Sequence, residues 1–174
     1  MFIDREDAGN KLGEALENHH FEDPLLLAIP CGGIEVGYYA AKHLNCDFDV
    51  VVARKLGYPQ HPEAAFGALA EDGSLYLNPY ANHYLNKEII QEVLQQQRKE
   101  VDRQVSVFRK DIPLPDLEGR MVILVDDGIA SGSTIFATLL MCQKRHPMKL
   151  AVAAPVSGVD ILPALKDKAD AVVI

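Results

Sequence analysis

The stretch VILVDDGIASGST, residues 122–134, places two adjacent aspartates directly before a run of small residues. Gly128 and Gly132 permit tight backbone turns, so successive amide N–H groups can converge on an anion. A helix predicted to begin at Ser131 adds its positive N-terminal end, and the loop's hydroxyl side chains add further donors. The pattern therefore predicts a binding site for a phosphate monoester.

Asp126 and Asp127 would repel a phosphate unless they serve another part of the same ligand. Carboxylates accept hydrogen bonds from vicinal hydroxyls, and they also bind divalent cations. A ribose 5-phosphate offers a phosphate for the loop and hydroxyls for the two acids. The Walker A lysine and the dinucleotide-binding GxGxxG spacing are both absent from this stretch. A plain strand–turn–helix junction stays open as the alternative.

Two further segments carry chemistry that suits an anion. In PCGG, residues 30–33, paired glycines let the backbone approach a ligand closely, although a simple turn is the alternative. Cys31 is either a reactive thiol beside anion-binding amides or a buried inert one. Arg54 and Lys55 follow an apolar run, and the alternative for them is a solvated basic pair.

Short aliphatic runs alternate with helical segments along the chain, which predicts a mainly parallel sheet flanked by helices. In such α/β sheets, ligands bind beyond the carboxyl ends of the strands, where the three segments above are expected. Asp72-Gly73 predicts a hairpin turn, after a polar loop that contains prolines. The predicted strands are 25–29, 48–53, 121–125, 150–155 and 171–174; the predicted hairpin is 66–78; the predicted helices include 34–44, 86–109 and 131–145.

Composition sets outer limits on function. The chain has 174 residues and a formal net charge of −8, which argues against a general nucleic-acid surface. It contains no apolar run of membrane-spanning length, so we expect no membrane partner. Three widely spaced cysteines and six histidines form no metal-ligand pattern, and the expected location is the reducing cytoplasm.

VILVDDGIASGST resembles the phosphoribosyl-pyrophosphate (PRPP) motif of the type I phosphoribosyltransferases, with Ser131 in place of the usual threonine. FIDREDAGNKLGEAL and ARKLGYPQHPEAAFGALAEDG resemble a less characterised bacterial subgroup of that family. The likeness covers roughly residues 2–174. It implies one phosphoribosyltransferase-like α/β domain over residues 1–174, with a flexible flap at about 56–78 and an inserted long helix at about 86–109.

The resemblance also implies a role for each candidate residue. Asp126 and Asp127 would bind the ribose hydroxyls and support catalysis. Cys31 stands where the family usually has Arg or Lys, which removes a positive charge from the pyrophosphate loop. The 5-phosphate would be bound by Gly128, Ala130, Ser131, Gly132, Ser133 and Thr134, and the pyrophosphate by Cys31, Gly32, Gly33, Arg54 and Lys55.

The implied reaction transfers ribose 5-phosphate from PRPP to a nitrogen acceptor and releases pyrophosphate. Magnesium would be bound through the ligand, with no metal site made by the protein alone. The alternatives are a non-catalytic PRPP or nucleotide sensor, and a hydrolase or lyase acting on another ribose-phosphate ligand. The acceptor wall is expected from the flap, the 86–109 helix or a partner subunit, and a homodimer fits the exposed character of that helix.

Overall fold

The computed structural model describes residues 1–79 and 85–174. A short 3₁₀ turn, Val159–Ile161, lies near the end of the chain. The helices are α1 (Arg5–Glu17), α2 (Gly32–Leu44), α3 (Lys87–Arg109), α4 (Ser133–Gln143) and α5 (Leu162–Lys166). The strands are β1 (Leu25–Ala28), β2 (Asp47–Val50), β3 (Ala53–Tyr58), β4 (His61–Ala70), β5 (Leu75–Leu77), β6 (Met121–Val125), β7 (Lys149–Ala153) and β8 (Ala171–Val173).

A five-stranded parallel sheet in the order β2-β1-β6-β7-β8 forms the centre of the fold. Strands β1 and β6 are buried along their whole length, as their unbroken aliphatic sequences predict. One face of the sheet packs on α4, and the opposite face packs on α1 and α2. The predicted parallel α/β fold is therefore confirmed.

A second sheet contains the hairpin predicted at 66–78, since β4 and β5 pair on either side of Asp72-Gly73, but it extends beyond the predicted limits. It is antiparallel, in the order β3-β4-β5, and it contains most of the segment expected to be a polar loop. The predicted strand 48–53 ends at Val50, and Ala53 begins β3 instead. Arg54 and Lys55 consequently lie within a strand of this smaller sheet, and not in a loop after a parallel strand. A tight turn at residues 59–60 joins β3 to β4, because Tyr58 pairs with His61.

Helix α3 packs on β3 and β4 through a small hydrophobic core of its own. A buried ion pair fixes the base of this unit, with Arg109 Nη2 2.7 Å from Glu71 Oε1. Arg109 also donates to the carbonyl oxygen of Val50, and Glu71 accepts from the amide of Val52. These contacts satisfy both buried charges, and they join the smaller sheet and α3 to the edge of the central sheet.

Helix boundaries follow the capping residues. Asp4 caps α1 by accepting from the amide of Asp7 at 2.8 Å, and Asn86 caps α3 by accepting from the amide of Ile89. The long helix begins and ends within one residue of its predicted limits. Within residues 1–79 and 85–174, no helix has both the length and the apolar character needed to cross a bilayer.

Candidate active site

A cleft of about 870 Å³ opens where β1 and β6 end. These strands are neighbours in the parallel sheet, so the segments that follow them are brought together. The cleft collects every candidate site residue except Gly32 and Gly33. Its lining from the predicted segments is Cys31, Arg54, Lys55, Asp126, Asp127, Gly128, Ala130, Ser131, Gly132, Ser133 and Thr134.

The loop after β6 has the form expected of an anion site. Gly132 precedes α4 with φ +70°, a conformation that favours glycine. The first amides of a helix have no acceptor within the helix, so those of α4 are available to a ligand at the cleft. Ser131 Oγ and Ser133 Oγ lie 3.1 Å apart. The loop is anchored to the segment that follows β7, because the amide of Ile129 donates to the carbonyl oxygen of Val156 at 3.0 Å.

The PCGG segment lies directly behind the two aspartates. The peptide bond between Pro30 and Cys31 is cis, and Cys31 is exposed at the cleft. A Cβ atom on Gly33 would stand 3.0 Å from Asp126 Cα. A Cβ atom on Gly32 would overlap the Asp127 carboxylate. The paired glycines therefore allow the close approach between this segment and the aspartates.

Asp126 is a half-buried carboxyl group next to a second one. Burial raises the pKa of Asp126 to about 7, the backbone hydrogen bond from Asp127 opposes this, and the charge of Asp127 adds to it. Lys55 lowers this pKa, so the basic residue on β3 is close enough to act on Asp126. The carboxyl group of Asp126 thus titrates near neutral pH.

Asp127 has a partner that the sequence did not indicate. Arg5, at the start of α1, places its Nη2 and Nε atoms 2.8 and 3.2 Å from Asp127 Oδ2. This ion pair leaves Oδ1 of Asp127 without an Arg5 contact, while Arg5 holds the side chain in one orientation. No local pattern connects residues that lie 122 positions apart, so only the tertiary fold reveals this contact.

Helix α3 forms a further wall of the cleft. Its cleft-facing positions recur at the spacing of one helical face, and Gln97 Oε1 accepts a hydrogen bond from Arg54 Nε at 3.3 Å. The sequence placed α3 among the possible sources of an acceptor wall without specifying these side chains. They are Ile89, Glu92, Val93, Gln96 and Gln97.

The side chains that line the cleft do not form a metal site by themselves. Among the described residues, no group of three or more His, Cys, Asp or Glu side chains is arranged to hold a metal ion. The two adjacent carboxylates of Asp126 and Asp127 are suited to hydroxyl groups or to an ion that a ligand brings with it.

Comparison with known proteins identifies the family. The phosphoribosyl transferase domain matches residues 4–170. A protein of Mycobacterium tuberculosis H37Rv, whose name assigns it to the phosphoribosyl transferases, is 36% identical over 175 residues. That alignment covers 99% of this chain and 40% of the relative, so the chain spans about two fifths of the relative's length.

Solved structures share the same fold. The crystal structure of TT1426 from Thermus thermophilus is 37% identical, with a TM-score of 0.79 over 99% of this chain and 83% of that one. A hypoxanthine-guanine phosphoribosyltransferase from Bacillus anthracis has a TM-score of 0.51 at 16% identity, over 90% of this chain and 68% of that one. The latter likeness concerns the fold alone. The parallel sheet, its flanking helices and the match over residues 4–170 show that this chain belongs to the phosphoribosyl transferase domain family.

Proposed function

We propose that this domain transfers the 5-phosphoribosyl group of PRPP to a nitrogen acceptor and releases pyrophosphate. The observation that supports this most directly is the single cleft that joins a helix N-terminal anion site, two adjacent carboxylates and two basic residues. PRPP carries a phosphate, vicinal hydroxyls and a pyrophosphate, so its three parts correspond to these three features.

The 5-phosphate is assigned to the turn before α4. Free amides at the start of this helix and the hydroxyls of Ser131, Ser133 and Thr134 supply donors to its oxygens. The helix dipole adds a favourable interaction with a dianion. The phosphate thereby fixes one end of the ligand on a rigid element.

The ribose hydroxyls are assigned to Asp126 and Asp127. Their carboxylates accept hydrogen bonds, and their negative charge favours the positive charge that develops on the sugar during transfer. Arg5 orients Asp127 from behind, and Lys55 favours the ionised form of Asp126. The two aspartates therefore position the sugar and stabilise its transition state electrostatically.

In the proposed reaction, the bond between ribose C1 and the pyrophosphate oxygen breaks with its electron pair leaving on pyrophosphate. A bond forms between C1 and the acceptor nitrogen, and that nitrogen then loses its proton. Arg54, Lys55 and Cys31 line the part of the cleft assigned to the departing anion, where the two basic side chains and the Cys31 amide can donate to it. Magnesium, when bound to PRPP, neutralises part of the pyrophosphate charge, and the residues of the cleft fit an ion that arrives with the ligand.

Cys31 favours a second candidate, a sensor that binds PRPP without turning it over. This position contributes no positive charge to the pyrophosphate loop, which weakens the case for leaving-group stabilisation there. The backbone amide of Cys31, which lines the cleft, stays available as a donor in either case. The two candidates share the ligand and differ only in turnover.

Isothermal titration of the folded protein with PRPP and magnesium is the first test. We expect saturable binding, and competition by ribose 5-phosphate. A folded sample that binds neither compound would reject the proposal. Pyrophosphate release is then measured with a panel of purines, pyrimidines and nicotinate-like acids: release identifies the transferase and its acceptor, whereas tight binding without any release supports the sensor.

A further inference from the structure

Arg54 shares with Arg98 and Arg145 the lack of a carboxylate partner among the described residues, and of these three arginines it is the one that lines the cleft. In the described part of the chain, no carboxylate lies within ion-pair distance of Arg54. By contrast, Arg5, Arg103, Arg109 and Arg120 each pair with an Asp or Glu at 2.6–2.8 Å. A half-buried arginine without a carboxylate, in a cleft of an acidic protein, is suited to an anion that comes from outside.

Gln97 is the residue that restrains this guanidinium. Its side-chain oxygen accepts from Arg54 Nε, which has a single hydrogen to donate. The donors left on Arg54 are those of the two terminal nitrogens, which form the planar fork that binds phosphate groups in a bidentate manner. A neutral amide can restrain the arginine in this way without cancelling its charge, as a carboxylate partner would.

Glu100, one helical turn further along α3, is the carboxylate that could compete for Arg54. Its pKa is lowered chiefly by hydrogen bonds from Arg103, and the charge of Arg54 makes a smaller contribution. Arg103 holds both Glu100 oxygens, with N–O distances of 2.6 and 2.9 Å. This pairing keeps the Glu100 carboxylate engaged away from Arg54, so the charge of Arg54 stays available to the cleft.

We propose that Gln97 is a positioning residue that presents the terminal nitrogens of Arg54 to the pyrophosphate of PRPP. The inference rests on the proposed function, because it assigns the anion near Arg54 to that ligand. This role gives α3 a defined part in ligand binding, because the helix restrains the Arg54 guanidinium that faces the pyrophosphate. The PCGG loop of the same site has no basic residue. Because the Arg54 side chain is already restrained, it loses less conformational entropy when the pyrophosphate binds.

The test is Gln97→Met, which keeps the length and helix propensity of the side chain and removes the acceptor. We expect affinity for PRPP and for magnesium pyrophosphate to fall about tenfold, the effect of one hydrogen bond to a charged group. Affinity for ribose 5-phosphate should stay unchanged, because that ligand has no pyrophosphate. The matched control is Gln95→Met, a nearby residue that lies on a different surface of α3.

A double-mutant cycle with Arg54→Met identifies the route of the effect. If Gln97 acts through Arg54, then Gln97→Met adds no further loss in the Arg54→Met background. Additive losses, or an equal loss for ribose 5-phosphate, would overturn the positioning role, and so would a Gln97→Met protein that binds PRPP like the wild type. If the wild-type protein itself does not bind PRPP, the proposed function fails instead, and titration with magnesium pyrophosphate alone still tests the Gln97–Arg54 pair.

Discussion

Substituting alanine for Gly32 tests the contact between the PCGG segment and the aspartates. Gly32 is the first residue of α2, and its φ lies outside the left-handed region, so alanine suits the backbone there. The added methyl group would nevertheless overlap the Asp127 carboxylate, and Arg5 Nε stands 3.0 Å from the same point. The Asp127 carboxylate must therefore rotate away, and it loses the orientation that its ion pair with Arg5 imposes.

The expected effect on binding follows from one displaced carboxylate. A hydrogen bond to a charged group contributes ~1.5–3 kcal/mol, so losing the one proposed between Asp127 and a ribose hydroxyl should lower the affinity for PRPP about 10- to 100-fold. Stability should change little, because alanine is favoured over glycine in a helix by roughly 0.5–1 kcal/mol and the exposed ion pair contributes little. The melting temperature should then shift by no more than about 2–4 °C.

Isothermal titration with PRPP and a thermal melt of the same sample separate these effects. The control is Gly158→Ala, where φ is −63° and the new Cβ atom would have its nearest contact at 3.6 Å, with the Ala130 carbonyl oxygen. That variant should bind PRPP like the wild type. A Gly32→Ala protein with unchanged melting temperature and unchanged PRPP affinity would refute the assignment of the ribose hydroxyls to Asp127.

Three further outcomes are expected. The exposed thiol of Cys31 should react with iodoacetamide well before that of Cys142, because burial raises the pKa of Cys142 to about 12. Bound PRPP should protect Cys31 from this reaction. Peptide mass spectrometry measures both effects, and equal labelling of Cys31 with and without PRPP would show that PRPP binds elsewhere. Because the pKa of Asp126 is raised to about 7, folding stability should fall from pH 4 to pH 7, by at most roughly 4 kcal/mol from this group. Asp126→Asn should remove that loss, so in urea denaturation the free energy of unfolding of the variant relative to the wild type should be higher at pH 8 than at pH 4.5. The same difference from the wild type at both pH values would contradict the prediction. Arg5→Gln should weaken PRPP binding and Arg5→Lys should restore part of it, whereas Arg120→Gln, which breaks an ion pair outside the cleft, should leave titration curves unchanged.

The central fold was predictable because its signals are local. Strands β1 and β6 are short aliphatic runs buried along their whole length, and α2 buries one stripe of residues at spacings of three and four. Strand β6 matches its predicted limits, 121–125, residue for residue. The loop after it was recognisable because glycines, small residues and paired acids occur together within a few positions.

The parts that sequence did not reveal depend on pairing across the chain. Pro59 and Pro62 indicated a loop, yet β3 and β4 accommodate them at and beside the turn, with irregular register after Leu56. Arg5 and Gln97 meet Asp127 and Arg54 only because the fold brings distant segments together. For α3, apolar residues such as Ile90, Leu94 and Val101 recur in the sequence at the spacing of one helical face, and that face packs inward, but this spacing does not tell which polar neighbours border the cleft.

The separate core beneath α3 has a consequence for redesign. One face of the small sheet packs on α3 through Val52, Leu56, Phe66, Leu69, Ile90 and Val101, whereas Ala53, Ala68 and Ala70 belong to the main core beside α4. The buried Glu71–Arg109 pair fastens this cluster at one corner of the parallel sheet. The cluster can therefore be exchanged between relatives as a unit, provided that both partners of the ion pair and the small residues that face α4 (Ala53, Ala68 and Ala70) are kept. Such chimaeras would retain the loop after β6 and vary the opposite wall of the cleft, which makes them a practical route to new ligand preferences.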